Sequence, residues 1–277
     1  MLRPPSYATL SEKIIYYSAW VFTALVLLFL ISPILTVIPL SFNSEPYFSY
    51  PMPGLSLKWY QDFFGNDRWY GSLTLSLELA VCVTLLSTVL GTMAALGLSR
   101  QDLPYRPLIL SMLILPMIVP VIITAVAVFM FYGYFGLIGT FLGLVLAHTV
   151  LATPFVVITV TSTLTSFDWS LNRAAQSLGA GPLYAFRKVI LPLILPGVVS
   201  GGLFAFVTSF DEVVVALFMS SPEQRTLPKQ MFSGIREQIS PTITAAATVL
   251  IVFSTCLLIG AELLRRRSER LRGVTPA

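Results

Sequence analysis

Apolar residues run along this chain in long stretches, separated by shorter polar segments. Six such stretches stand out, at about 14–40, 72–98, 107–131, 136–163, 193–219 and 242–264. Each exceeds the roughly 20 residues that a helix needs to cross a bilayer core. The pattern predicts six transmembrane helices in one domain over residues 1–277. Short segments of strictly alternating polarity, the mark of a membrane β-barrel, do not occur. Pro33, Pro39, Pro116, Pro120 and Pro154 lie within or near the ends of spans, where they predict kinks or gating hinges. "GTMAALG" at 91–97 puts small residues at helical spacing and predicts close helix packing.

Composition agrees with an all-α membrane protein. Of 277 residues, 56% are hydrophobic and 11% charged, where a soluble domain has about 25% charged residues. The net charge of +4 comes from basic residues flanking spans, and does not point to nucleic acid. Lys and Arg in the connections set the orientation. Lys58, Arg68, Arg225, Lys229 and Arg236 fall on one side. The other twelve of the seventeen, from Arg3, Lys13 and Arg100 to the five arginines after residue 264, fall on the side of both termini. Both termini are therefore expected in the cytoplasm, and no basic residue is left for the membrane interior. The run from Ile14 to Leu40 is too long for a signal-peptide core and is read as a retained first span.

The connections differ in character. The external loop at 41–71 carries Trp59, Tyr60, Phe63, Phe64, Trp69 and Tyr70, which suit a membrane-interface belt or a docking surface for an external partner. The external loop at 220–241 is polar and rich in turn formers. The cytoplasmic loop at 166–192 reads as a helix–turn–helix. Ser166 and Asp168 offer N-caps, Trp169–Leu178 forms a helix, and Gly179, Gly181 and Pro182 stop it. Ala174 and Ala175 allow close approach by another surface.

Most chemical candidates reduce to packing. Cys82 and Cys256 lie inside spans and read as small buried hydrophobes. His148, the sole histidine, reads as a hydrogen-bonded packing residue or as a polar lining of a path. Glu262 reads as an interfacial partner of Arg265 and Arg266. No nucleophile–base constellation and no metal-ligand spacing occurs, so catalysis by this chain is not expected. Asp211 and Glu212 are different. They interrupt the apolar span "AFVTSFDEVVVALF" some two-thirds of the way across, where an ionisable residue marks a functional site. In a continuous helix their neighbours include no basic residue, so water, a partner subunit or a passing cation would have to stabilise them. Glu78 in the second span is a third acid that could share their level.

The loop at 166–192 resembles the EAA loop of permease subunits of binding-protein-dependent ABC importers. The pattern E-A-A-x3-G-x9-I-x-L-P falls here on Arg173, Ala174, Ala175, Gly179, Val189, Leu191 and Pro192. Arg173 replaces the family's Glu and reverses its charge. Further stretches, among them "GLSLKWYQDFF", "LILPMIVPVI" and "SFDEVVVALFMSSPEQRTLPKQMFSGIREQISPTITAAAT", look like the spermidine/putrescine branch, most of all its six-span second permease.

The resemblance implies a helical permease in a bacterial inner membrane, paired with a second permease around a central path. It implies two cytoplasmic ATPase subunits, which bind ATP and Mg, and a periplasmic solute-binding protein. The hairpin would sit in a groove of an ATPase, with Arg173, Ala174, Ala175, Gly179, Leu191 and Pro192 as the coupling residues. The chain has no G-x4-G-K-[ST] of its own, and so no cofactor is expected in it. The expected function is uptake of a small cationic amine, with Asp211, Glu212 and Glu78 along the path. Other solutes (an amino-acid-like compound, an organophosphonate or ferric iron) remain open, as does a self-sufficient carrier or channel.

Overall fold

A computed structural model of the chain describes residues 9–100, 102–237 and 239–271, with side chains as far as 260 and at Leu263. Arg3 and the expected pairing of Glu262 with Arg265 and Arg266 lie outside the described residues. The described chain is helical, with one isolated bridge between Asn43 and Leu55. Its residues group into two compact units.

Among the described residues, the first unit comprises 9–63 and 239–250. Its main element is α1 (Leu10–Leu40), started by a capping box in which Thr9 and Glu12 bond each other's backbone N–H. Of its residues only Leu40, at the C-terminal end, is buried. The turn that follows is held by polar contacts. Trp59 Nε1 donates to the Asn43 carbonyl at 2.7 Å, and the Ser41 and Tyr60 hydroxyls lie 2.7 Å apart. The Thr242 hydroxyl donates to Asp62 at 2.7 Å. A short amphipathic helix, α2 (Lys58–Gly65), closes the segment.

Among the described residues, the second unit comprises 64–100, 102–237 and 251–271. Three long helices form its core: α3 (Asp67–Leu98), α6 (Phe141–Thr165) and α9 (Leu191–Phe210). Leu79 and Val83 of α3, Val156 and Val160 of α6, and Ile194 and Ala205 of α9 have no exposed surface. Glycine lets the backbones approach: a Cβ on Gly91 would stand 2.6 Å from the Val156 Cβ, and one on Gly201 would stand 3.0 Å from the Val156 Cα. The expected close packing through "GTMAALG" is thus made by Gly91, Thr92 and Ala95, all buried. Gly91→Ala is expected to destabilise the helix core by about 1–3 kcal/mol through overpacking. It would be read as a lower melting temperature of the detergent-solubilised protein; an unchanged temperature would mean that Val156 moves aside freely.

Two of the predicted spans are broken. The third is α4 (Arg106–Ile118) followed by α5 (Val121–Gly133), bent by 102°. Pro120 is the cause: it lacks an N–H and excludes the helical conformation at the preceding residue, and Val119 is extended at φ −69°, ψ 135°. The fifth stretch, read from sequence as one helix over 193–219, is α9 and then α10 (Val214–Met219), parted at Asp211–Val213. Among the described residues, five helices are long and apolar enough to cross a membrane, and six spans result if the bent pair counts as one.

Between α6 and α9 lies the hairpin, α7 (Trp169–Ser177) and α8 (Pro182–Ala185), continued by a π-turn over Phe186–Ile190. The remaining elements are α11 (Leu227–Glu237) and α12 (Thr242–Leu271). Cys82 and Cys256 are exposed rather than buried as expected. In a bilayer the outward face of a helix is apolar too, so a small apolar side chain does not report which way it points.

Candidate functional site

The break in the fifth span answers why two acids stand in an apolar run. A helix starting inside a bilayer leaves its first N–H groups unpaired, at a cost of several kcal/mol each in lipid. Glu212 supplies the missing acceptors. Its Oε1 accepts from Val214 N at 2.9 Å and Val215 N at 3.0 Å, and its Oε2 accepts from Ala216 N at 3.1 Å. The side chain thus takes the amides of the turn that a continuous helix would have bonded, and the chain leaves helical geometry at residues 211–213. Glu212 is 9% exposed. The expectation that water, a partner or a cation must stabilise it is corrected: the chain's own backbone does so. No helix runs through the two acids, so Asp211 keeps Val207 of α9 as a neighbour and Glu212 keeps Val215 and Ala216 of α10.

His148 of α6 faces the same break. Its Nδ1 lies 3.1 Å from the Ser209 hydroxyl, and its Nε2 lies 3.8 Å from Glu212 Oε2. It is buried and does not line a cavity around these acids.

Asp211 points the other way. It is exposed and caps α9, its N–H donating to the Val207 carbonyl at 3.1 Å. Beside it opens a cleft of about 340 Å³, walled by Pro116 and Met117 of α4, Val121 of α5, Leu151 and Phe155 of α6, and Thr208. Both broken spans therefore meet at one cleft. Helix C-termini carry partial negative charge, and the last turns of α4 and α9 both border it. The start of α5, which carries partial positive charge, borders it as well. The start of α10 has its amides taken by Glu212. Asp211 adds a full negative charge, and neither Lys nor Arg is among the lining residues. Such a cleft suits a cation with an apolar body.

Glu78 is elsewhere. It is exposed on α3 and lines a second cleft of about 560 Å³ with Asp67, Arg68, Glu223, Arg225 and Gln230. The structure brings Asp211 and Glu212 to one cleft and places Glu78 in another, among charges of both signs.

The hairpin forms where the sequence places it, within one residue. Asp168 is the N-cap, its carboxylate accepting from Ser170 N at 2.9 Å and the Ser170 hydroxyl at 2.7 Å. Those bonds, with the charge of Arg173, hold its carboxyl below the usual carboxylate range. Gly179, at φ +84°, ends α7. Gly179 N donates to the Gln176 carbonyl at 2.9 Å and Ala180 N to the Ala175 carbonyl at 3.0 Å, the two bonds of a Schellman cap. Arg173 and Ala174 are exposed and Ala175 is half-buried, while Leu171, Leu178, Leu183 and Tyr184 are exposed apolar residues of the same hairpin. The hairpin then runs without a gap into α9. Pro192 cannot donate and its ring crowds the carbonyl four residues back. The turn before it widens accordingly, with Leu191 N donating to Phe186 five residues back. Leu191 and Pro192 thus form the rigid junction between hairpin and span.

Sequence reasoning missed the cleft walls and the link from His148 to Ser209 and Glu212. Pro116, Pro120 and the lone histidine were signals, but none of them reveals which helices meet.

Comparison with known proteins follows the same lines. Residues 87–270 match the family model described as binding-protein-dependent transport system inner membrane component. The chain is 34% identical to the spermidine/putrescine transport system permease protein PotC of Haemophilus influenzae, over 90% of this chain and 96% of that protein. It is 34% identical to the putrescine transport system permease protein PotI of Escherichia coli K12, over 80% and 82% of the two chains. Among solved structures, a chain of a bacterial ABC transporter involved in the import of the acidic polysaccharide alginate superposes with a TM-score of 0.72. It covers 96% of this chain and 99% of that one at 16% identity, a likeness of fold.

Proposed function

The chain belongs to the binding-protein-dependent transport system inner membrane components, and we propose that it admits a small cationic amine of the polyamine class to the cytoplasm. It is a multi-pass inner-membrane subunit of an ABC importer. In this reading both termini are cytoplasmic. A second, non-identical permease completes the path, two cytoplasmic ATPases bind ATP and Mg, and a periplasmic protein delivers the solute. This chain performs no catalysis.

The observation that carries the reading is Asp211. Its exposed carboxylate stands in a cleft lined by no Lys or Arg, where two broken spans meet, next to apolar walls. Breaks of this kind mark solute sites in transporters. An alkyl amine matches both parts: its ammonium meets the carboxylate in a charge-assisted bond, and its methylenes meet Leu151 and Phe155. The names of the relatives at 34% identity favour the same solute class. The test is uptake into proteoliposomes holding the complete transporter. Labelled putrescine should enter in an ATP-dependent way and be outcompeted by spermidine. Competition instead by an amino acid, a phosphonate or ferric iron would reject the amine and keep the importer.

The hairpin is the proposed seat of the ATPase. It offers exposed Ala174 beside Leu178 and Leu183, on an arm fused to α9, so ATPase closure can travel to the broken span as a rigid-body motion. Arg173 points outward from this arm, and its ATPase groove is expected to present an acidic residue there. Arg173→Glu should then reduce the ATPase retained on affinity purification about three- to tenfold, as a like-charge contact replaces an ion pair. Full retention would mean that Arg173 faces water.

A further inference from the structure

His148 is 1% exposed and takes no part in lining the cleft of Asp211. Filling space does not require a histidine at this position, because an apolar residue of similar volume would fill it without a polar atom to satisfy. Yet its Nε2 is buried and has no hydrogen-bond partner. Such groups are rare and call for a reason. The geometry supplies one. From α6 the ring reaches Ser209 in the last turn of α9, with Nδ1 at 3.1 Å, and Glu212 within the break, with Nε2 at 3.8 Å.

The facing carboxylate favours a proton on Nε2, with the Ser209 hydroxyl donating to Nδ1. The two carboxylate oxygens are also unequal. Oε1 accepts two backbone N–H groups and Oε2 only one, from Ala216. The ring nitrogen faces the oxygen with spare acceptor capacity.

We propose that His148 is a positioning residue. It ties the two sides of the break together, keeps the Glu212 carboxylate on the first turn of α10, and so leaves Asp211 as the charge presented to the cleft. The inference rests on the reading of Asp211 as the residue that meets the cation.

Two amide substitutions separate positioning from packing, because each replaces one ring nitrogen. The side-chain nitrogen of His148→Gln falls near the place of Nε2, and that of His148→Asn near the place of Nδ1. The complete transporter in detergent would be followed by hydrogen exchange at the amides of Val214, Val215 and Ala216. They should exchange about tenfold faster in His148→Asn and within about twofold of wild type in His148→Gln, since local opening reports the bonds that hold this turn. Uptake of putrescine should follow the same order. Equal exchange in the two variants, fast or slow, overturns the proposal. If His148→Asn does not assemble, His148→Leu takes its place by removing both ring nitrogens at similar volume, and wild-type exchange there overturns the proposal too. Exchange that splits as expected, in a transporter that does not take up amines, upholds the positioning role and rejects the solute class.

Discussion

Uptake of a diamine through the assembled transporter is expected to fall about 10- to 100-fold in Asp211→Asn, the loss that goes with one charge-assisted hydrogen bond. The substitution keeps the shape of the side chain and removes its charge. Asp211 is exposed in its cleft and lends the fold only a backbone N–H, to Val207, so assembly and basal ATP hydrolysis should persist. The result should differ in kind from Glu212→Gln. There an amide nitrogen replaces an oxygen that accepts backbone N–H, setting donor against donor at the start of α10. Leaving such a group unsatisfied costs about 1–3 kcal/mol. Glu212→Gln should therefore lower the yield and melting temperature of the complex as well as uptake. Wild-type uptake by Asp211→Asn, measured alongside retained ATPase, would remove the main physical support for a cationic solute.

Gly179→Val is expected to abolish coupled uptake while Gly179→Asn preserves most of it. Gly179 has φ +84°, and nothing lies within 4 Å of where its Cβ would be. Space within this chain therefore does not decide the outcome; backbone conformation does. A left-handed residue costs roughly 1–2 kcal/mol for L-amino acids in general. It is a genuine outlier for a β-branched one, and asparagine tolerates it. Valine would release both bonds of the Schellman cap, free the carbonyls of Ala175 and Gln176, and re-aim the arm that continues into α9. ATP hydrolysis should then run without solute movement, or the ATPase should be lost on purification. Normal uptake with normal ATPase retention in Gly179→Val would show that the hairpin is not the coupling surface.

Much of this was legible in the sequence, for reasons that are local. Long apolar runs need no tertiary information, because lipid forces every backbone group in them to bond within its own helix. The hairpin was equally legible. Asp168 as N-cap, Gly179 as the left-handed stop and Pro192 at the junction act through bonds within a few residues, and they fall where spacing puts them. That Asp211 and Glu212 were unusual also followed from sequence, since an acid in a span has to be accounted for.

How these acids are held was decided only by the fold. Hydrophobicity cannot show that a span is broken when its two halves are equally apolar. The interruption at 211–213 exists because the Glu212 side chain folds onto Val214, Val215 and Ala216, a choice between two local bonding patterns. The facing of His148 onto that carboxylate comes from the packing of α6 against α9, between residues 64 positions apart in sequence. Glu78 and Asp211 looked alike as acids in spans, but lie in different clefts because each side chain leaves its helix on a different face. Exposed Cys82 and Cys256 make the same point: in a membrane protein apolarity marks both the inside and the outside. The chain's composition and local signals determined which segments are helices and where they stop. Only the meeting of α4, α6 and α9 decided which carboxylate is bound by its own backbone and which is left exposed at the cleft.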